Sequence, residues 1–168
     1  MAVAARVSLE EYLNTSYEPD CDYVDGVLEE RNVGKRKHSR TQGRLYAWLA
    51  ARVPRGYEVL PAQRMQISPS RVRVPDLCVV IEEDEEVVHR TPALCVEVFS
   101  PEDRWQRVEI RLRDYLAFGV PTVWVIDPYS SRAWMGTQQP EMAEAKDGIL
   151  RCANLNLELH ISDILPEE

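Results

Sequence analysis

Two carboxylates stand where carboxylates are costly. Glu97 lies in CVEVFSPED (95–103), among Cys95, Val96, Val98 and Phe99, and Asp76 lies in RVRVPDLCVV (71–80), directly after Pro75. Both stretches have the residue types of buried strands, where an unpaired carboxylate is expensive. Strand alternation puts Cys95, Glu97 and Phe99 on one face and Leu94, Val96 and Val98 on the other. Pro75 removes a ladder donor and marks a bulge or edge beside Asp76. Two adjacent strands would then each turn one acid, 21 residues apart, onto a common face, where they repel unless a cation lies between them. A divalent ion with oxygen ligands, Mg²⁺ or Mn²⁺, meets that need. Each acid alone also has a structural reading, Asp76 as a turn residue and Glu97 as the partner of an arginine.

The elements that must position these groups follow from local pattern. Ser8-Leu9-Glu10-Glu11 is a capping box that starts a short helix over about 9–15. Asp25-Gly26 between two alternating runs signals a hairpin. KHSRTQGRLYAWLAARV (37–53) reads as a helix that Pro54 and Gly56 end, with Leu45, Trp48 and Leu49 on one face. Strands are expected over 57–68 and 71–82, joined by the turn SPS, and again at 93–99. Ser100-Pro101-Glu102-Asp103 has the form of a helix start, and that helix runs to Phe118 and stops at Gly119. Trp105, Val108, Leu112, Tyr115 and Leu116 form its apolar stripe, bordered by Arg104, Arg107 and Arg111 at i, i+3 and i+7. The border is either solvated or set beside Glu97, to receive a phosphate or to pair with the acid. A helix between strands 93–99 and 122–127 favours their parallel pairing. Further strands fit SRAWMG and LRCANLNLELHI. The fold class is α/β (α+β), a mixed β-sheet flanked by helices, in a single domain over 1–168.

Charge is unevenly divided. The chain totals −8, yet residues 31–73 hold eleven Lys/Arg against Glu58 alone, a segment near +10 that leaves about −18 elsewhere. That asymmetry suggests a basic surface for a polyanion, or basic faces left to solvent. The acidic loop EEDEE (82–86) reads as solvated, with a gating role open if it lies near the two acids. No apolar run approaches the roughly 20 residues of a membrane helix, and the first residues reach charge too soon for a secretory signal. Cys21, Cys78, Cys95 and Cys152 form no C-x-x-C pair and read as buried thiols of a cytoplasmic protein. A serine hydrolase is disfavoured, because Ser100 looks like a cap and no Gly-x-Ser-x-Gly elbow exists.

PD, then about twenty residues, then E-x-[hydrophobic]-S-P resembles the PD-(D/E)xK nuclease superfamily. More narrowly, EEYL, DYVDGVLEE, His38 at the start of the second helix, VPDLCVV, CVEVFSP and DYLAFGVPTVWVIDP resemble the Uma-two family of restriction endonuclease-like proteins, over nearly the whole chain. The resemblance implies a restriction-endonuclease-like fold and Mg²⁺-dependent hydrolysis of DNA. Asp76, Glu97 and the backbone carbonyl of Val98 would hold the metal, and Asp22 stands where the family usually has an accessory acid. The superfamily lysine two residues after the glutamate is Phe99 here. The lysine that the family carries in the following helix is matched by Arg111, and an aspartate one turn earlier by Arg107. Arginine cannot serve as the base that lysine can, so Arg111 is left to hold a phosphate or position water. The alternative is an inactive nuclease fold kept as a nucleic-acid- or protein-binding module. Lys35, Arg36, Lys37, His38, Arg104 and Arg107 are the candidate DNA contacts. A homodimer is expected, with Trp48 or Trp134 exposed to supply contacts.

Overall fold

The computed structural model describes residues 6–32, 34–138 and 142–165; the two ends of the expected 1–168 domain lie outside them. α1 (Leu9–Leu13) is capped by Ser8, whose Oγ accepts from the Glu11 N–H at 3.1 Å. β1 (Cys21–Val24) and β2 (Val27–Glu30) form the hairpin, with φ of 50° at Asp25 and 88° at Gly26. Positive φ at both central residues is what the tight hairpin turn requires, and Asp-Gly tolerates it. α2 (Arg36–Ala50) follows.

The two long strands expected next each break in the middle. β3 (Tyr57–Pro61) and β4 (Met65–Ser68) are separated at Ala62, where φ is 47°. β5 (Arg71–Arg73) and β6 (Leu77–Ile81) are separated at Val74-Pro75-Asp76. The breaks let one chain serve two sheets. β4 and β5 join the hairpin in the order β2-β1-β5-β4, while β3 and β6 enter a larger sheet.

That larger sheet continues with β7 (Leu94–Val98), β8 (Thr122–Asp127), β9 (Arg132–Thr137) and β10 (Ala143–Glu144), in the order β10-β9-β8-β7-β6-β3. β7 and β8 pair in parallel, connected through α3 (Trp105–Phe118), which ends at Gly119 with φ 101°. Each face of the sheet buries its own core. On one face Leu45 and Leu49 of α2 pack with Leu94, Val96 and Ile126, covered also by the hairpin of β11 (Ile149–Cys152) and β12 (Leu157–His160). On the other, Val108, Leu112 and Tyr115 of α3 pack with Met65, Cys78, Cys95 and Val125. The alternation read along 94–99 is therefore the division between two cores, and all four cysteines are free and buried.

Several expectations need correction. α3 begins at Trp105 rather than at Ser100, and Arg104 caps it without a side-chain bond. Asp103 turns back instead, accepting from the Ser100 N–H at 2.8 Å and from its Oγ at 3.0 Å. The acidic loop 82–86 follows the end of β6 remote from Asp76, which removes the geometric basis for gating. Trp48 and Trp134 are half-buried: Trp48 packs on the core beneath the Arg52 guanidinium, and Trp134 meets Trp105 at 5.0 Å. No helix among the described residues is long and apolar enough to cross a membrane.

Candidate functional site

β6 and β7 run antiparallel with Leu77 opposite Val96, so Asp76, one step before β6, arrives beside Glu97 at the C-terminal end of β7. The starts of α2 and α3 reach the same end. Together they line a small pocket of about 10 Å³, bordered by Arg31, Asn32, His38, Asp76, Glu97, Val98, Ser100, Asp103 and Arg111.

Every acid in it already has partners. Asp76 Oδ1 accepts from Arg31 Nη2 at 2.7 Å, and Oδ2 accepts from the Val98 N–H at 2.7 Å, with His38 Nε2 3.4 Å away. Glu97, 1% exposed, accepts from Arg111 Nη2 at 3.2 Å and from the Tyr115 hydroxyl. Asn32 donates to Asp103 at 2.7 Å. Arg111 is itself buried, because its position on α3 points it into the end of the core rather than along a solvated border.

These neighbours push the two central acids apart. Burial works to raise the Asp76 carboxyl, but Arg31, His38 and the Val98 N–H outweigh it and hold the group at about 2. Burial lifts Glu97 above the usual carboxylate range; Arg111 opposes the rise, and the nearby Asp76 charge adds to it. Burial disfavours protonated His38, yet Asp76 beside it prevails and raises the imidazole.

Asp22 belongs to a different cluster. Its Oδ2 accepts from Arg73 at 2.9 Å and its Oδ1 from the Val74 N–H at 2.9 Å. Arg73, 1% exposed, also meets Glu29 and Asp114. This network ties β1, β2, β5 and α3 together and does not line the pocket. Of the expected nucleic-acid contacts, Arg36, Lys37 and Arg104 are exposed, Lys35 pairs with Glu102 at 2.6 Å, and exposed Arg107 reaches the Glu30 carbonyl at 3.2 Å. Within the basic 31–73 segment Arg31, Arg64, Arg71 and Arg73 are in ion pairs, while Arg36, Lys37, Arg40, Arg44, Arg52 and Arg55 are exposed.

A model of the Uma2 family, described as "Putative restriction endonuclease", matches residues 9–162. The chain belongs to the Uma2 family. No curated protein matches it. Among solved structures it is similar to one from Anabaena variabilis described as "a putative nuclease belonging to DUF820", with a TM-score of 0.84, 22% identity, and coverage of 95% of this chain and 97% of that one. The likeness fixes the fold, a mixed sheet flanked by helices.

Restriction-endonuclease-like families generally use divalent metals. The Uma2 residues present here do not fit one as they are arranged. Arg31 and Arg111 already neutralise Asp76 and Glu97, and the Val98 N–H and Tyr115 take further lone pairs. Among the described residues, no three His, Cys, Asp or Glu side chains are grouped to hold a metal. The pocket's unused capacity has the opposite polarity. Buried Arg111 Nε–H has no partner; a guanidinium N–H can only donate, so it calls for an acceptor. His38 Nδ1 is buried and unpartnered as well.

Sequence reading found Asp76, Glu97, His38 and Arg111 but not Arg31, Asn32, Asp103 or Tyr115 as members of one pocket. Arg31 was visible only as one charge in a basic segment. Tyr115 looked like part of the apolar stripe, and only the fold brings its hydroxyl to Glu97.

Proposed function

We propose that this Uma2 protein binds the phosphodiester backbone of DNA at the Arg31–Arg111 pocket, on a nuclease fold whose paired acids are neutralised by its own arginines. The observation that carries this reading is the buried, unpartnered Arg111 Nε–H in a pocket whose carboxylates are already satisfied. A backbone phosphate supplies the missing acceptor, and guanidinium–phosphate hydrogen bonds are among the stronger ones. Exposed Arg36, Lys37, Arg104 and Arg107, at the starts of the two helices, would take flanking phosphates.

A second reading is Mg²⁺- or Mn²⁺-dependent DNA cleavage through Asp76, Glu97 and the Val98 carbonyl. The family and the juxtaposition of the two acids favour it. It requires both guanidiniums to release their carboxylates, and the homodimer belongs to this reading alone. Fluorescence anisotropy with a DNA duplex in EDTA separates the two. Binding in EDTA that falls with salt, and whose salt slope drops by about 1 in Arg31→Gln or Arg111→Gln, is expected. Binding that appears only with Mg²⁺ would overturn the first reading.

A further inference from the structure

A groove leads away from the pocket along the α1–β1 connection. Tyr17, Pro19 and Leu28 give it apolar walls, exposed Glu18 and Glu30 line it too, and Arg31 is shared with the pocket. Its volume is about 400 Å³, within the roughly 300–1,000 Å³ of small-molecule sites. A shorter hollow past Pro19, Gln42 and Asp76 also borders on Arg31, so Arg31 lines the groove, the hollow and the pocket alike.

Along this path the lining changes character. Around the pocket it offers N–H donors to an anion. In the groove it offers an aromatic ring, an aliphatic wall and two carboxylates, a surface that repels phosphate. Planar groups edged with N–H donors suit it, and a nucleobase joined to a phosphate is such a group. The ring is held ready: Tyr17 stacks on Tyr12 at 5.8 Å, with the Arg64 guanidinium 5.8 Å from its centroid. Arg64 is in turn fixed by Asp20 and by the Tyr12 and Thr15 carbonyls. Glu30 is anchored through its backbone carbonyl by Arg107.

We infer that the groove lined by Tyr17, Pro19, Leu28 and Glu30 is a subsite for an unpaired nucleobase whose phosphate lies at Arg31. The inference rests on the backbone-binding reading and adds a preference for single-stranded or locally opened DNA.

The test compares two labelled single strands of equal length, one with bases and one built of abasic sugars, by anisotropy in EDTA. Wild type should bind the base-bearing strand about tenfold tighter or more, the usual size of one stacked base. Tyr17→Ala, checked for folding by circular dichroism, should narrow that gap and leave abasic binding unchanged; Glu30→Gln, an exposed change, should narrow it too, with abasic binding the same or tighter as a repelling charge is lost. Equal affinity of wild type for both strands would overturn the subsite while leaving backbone binding intact. Discrimination that survives both substitutions would overturn its placement. No binding of either strand would overturn backbone binding and the subsite with it.

Discussion

Removing the Arg111 guanidinium should destabilise the fold by an amount set by pH. In Arg111→Met the Glu97 carboxyl, 1% exposed, keeps Tyr115 as a partner and loses its cation. Breaking a buried pair from one side costs about 3–5 kcal/mol when the remaining charge has no escape. Glu97 has one, because it can take up a proton. From the ordinary glutamate value of 4.5, protonation costs about 3.4 kcal/mol at pH 7 and about 0.7 kcal/mol at pH 5. Those figures cap the electrostatic penalty at each pH. The direction follows from linkage. Burial already raises Glu97 in the folded state, so its contribution favours folding below the unfolded value and is lost as pH rises through the folded one. Loss of Arg111 moves the folded value higher and steepens that loss. Urea denaturation of wild type and Arg111→Met at the two pH values should give a deficit that shrinks on acidification, by at most about 2.7 kcal/mol. A deficit that is constant, or larger at pH 5, would refute the assignment of Arg111 as the group that neutralises Glu97.

The Arg73 network is a structural element, so Arg73→Met should cost about 3–5 kcal/mol in denaturation by stranding buried Asp22; the surviving folded protein should bind DNA as wild type does, and a selective loss of binding would return Asp22 to the functional site. Asp76 is held at about 2 against an ordinary 3.8, so its stabilisation is present above the ordinary value and lost as pH falls through 2. Asp76→Asn should therefore lose about 2 kcal/mol at neutral pH, and its gap from wild type should close toward pH 2 in thermal melts. With the acids neutralised by arginine, the melting temperature should be the same in EDTA and in millimolar Mg²⁺; a rise of several degrees with Mg²⁺ would mean that the metal binds the native state.

What could be read from the residues, and what could not, divides along sequence distance. The crossover from β7 through α3 to β8 was legible because its signals are local: an alternating run, an apolar stripe and Gly119 at the stop. The hairpin at Asp25-Gly26 was legible for the same reason. The start of α3 was misplaced because Ser100-Pro101-Glu102-Asp103 carries the marks of a helix cap, while the Asp103 side chain is drawn to Ser100 and Asn32. Residues 57–68 look continuous along the chain, and only the need to serve two sheets explains the break at Ala62, whereas Pro75 already marks a bulge or edge within 71–82. The candidate site was half visible. Acids in apolar strands announce themselves by their cost, but their neutralising cations do not. Arg31 lies 45 residues from Asp76 and reaches it only through the pairing of two sheets.

The central claim is that arginine, and not a metal ion, balances Asp76 and Glu97, leaving a pocket for the nucleic-acid backbone. Supercoiled plasmid incubated with wild-type protein in EDTA, Mg²⁺ or Mn²⁺, and run on one gel, tests it most directly. The account predicts a retarded plasmid in every lane, intact once the protein is removed. Nicked or linear product that appears only with Mg²⁺ or Mn²⁺, and disappears in Asp76→Asn, would contradict it.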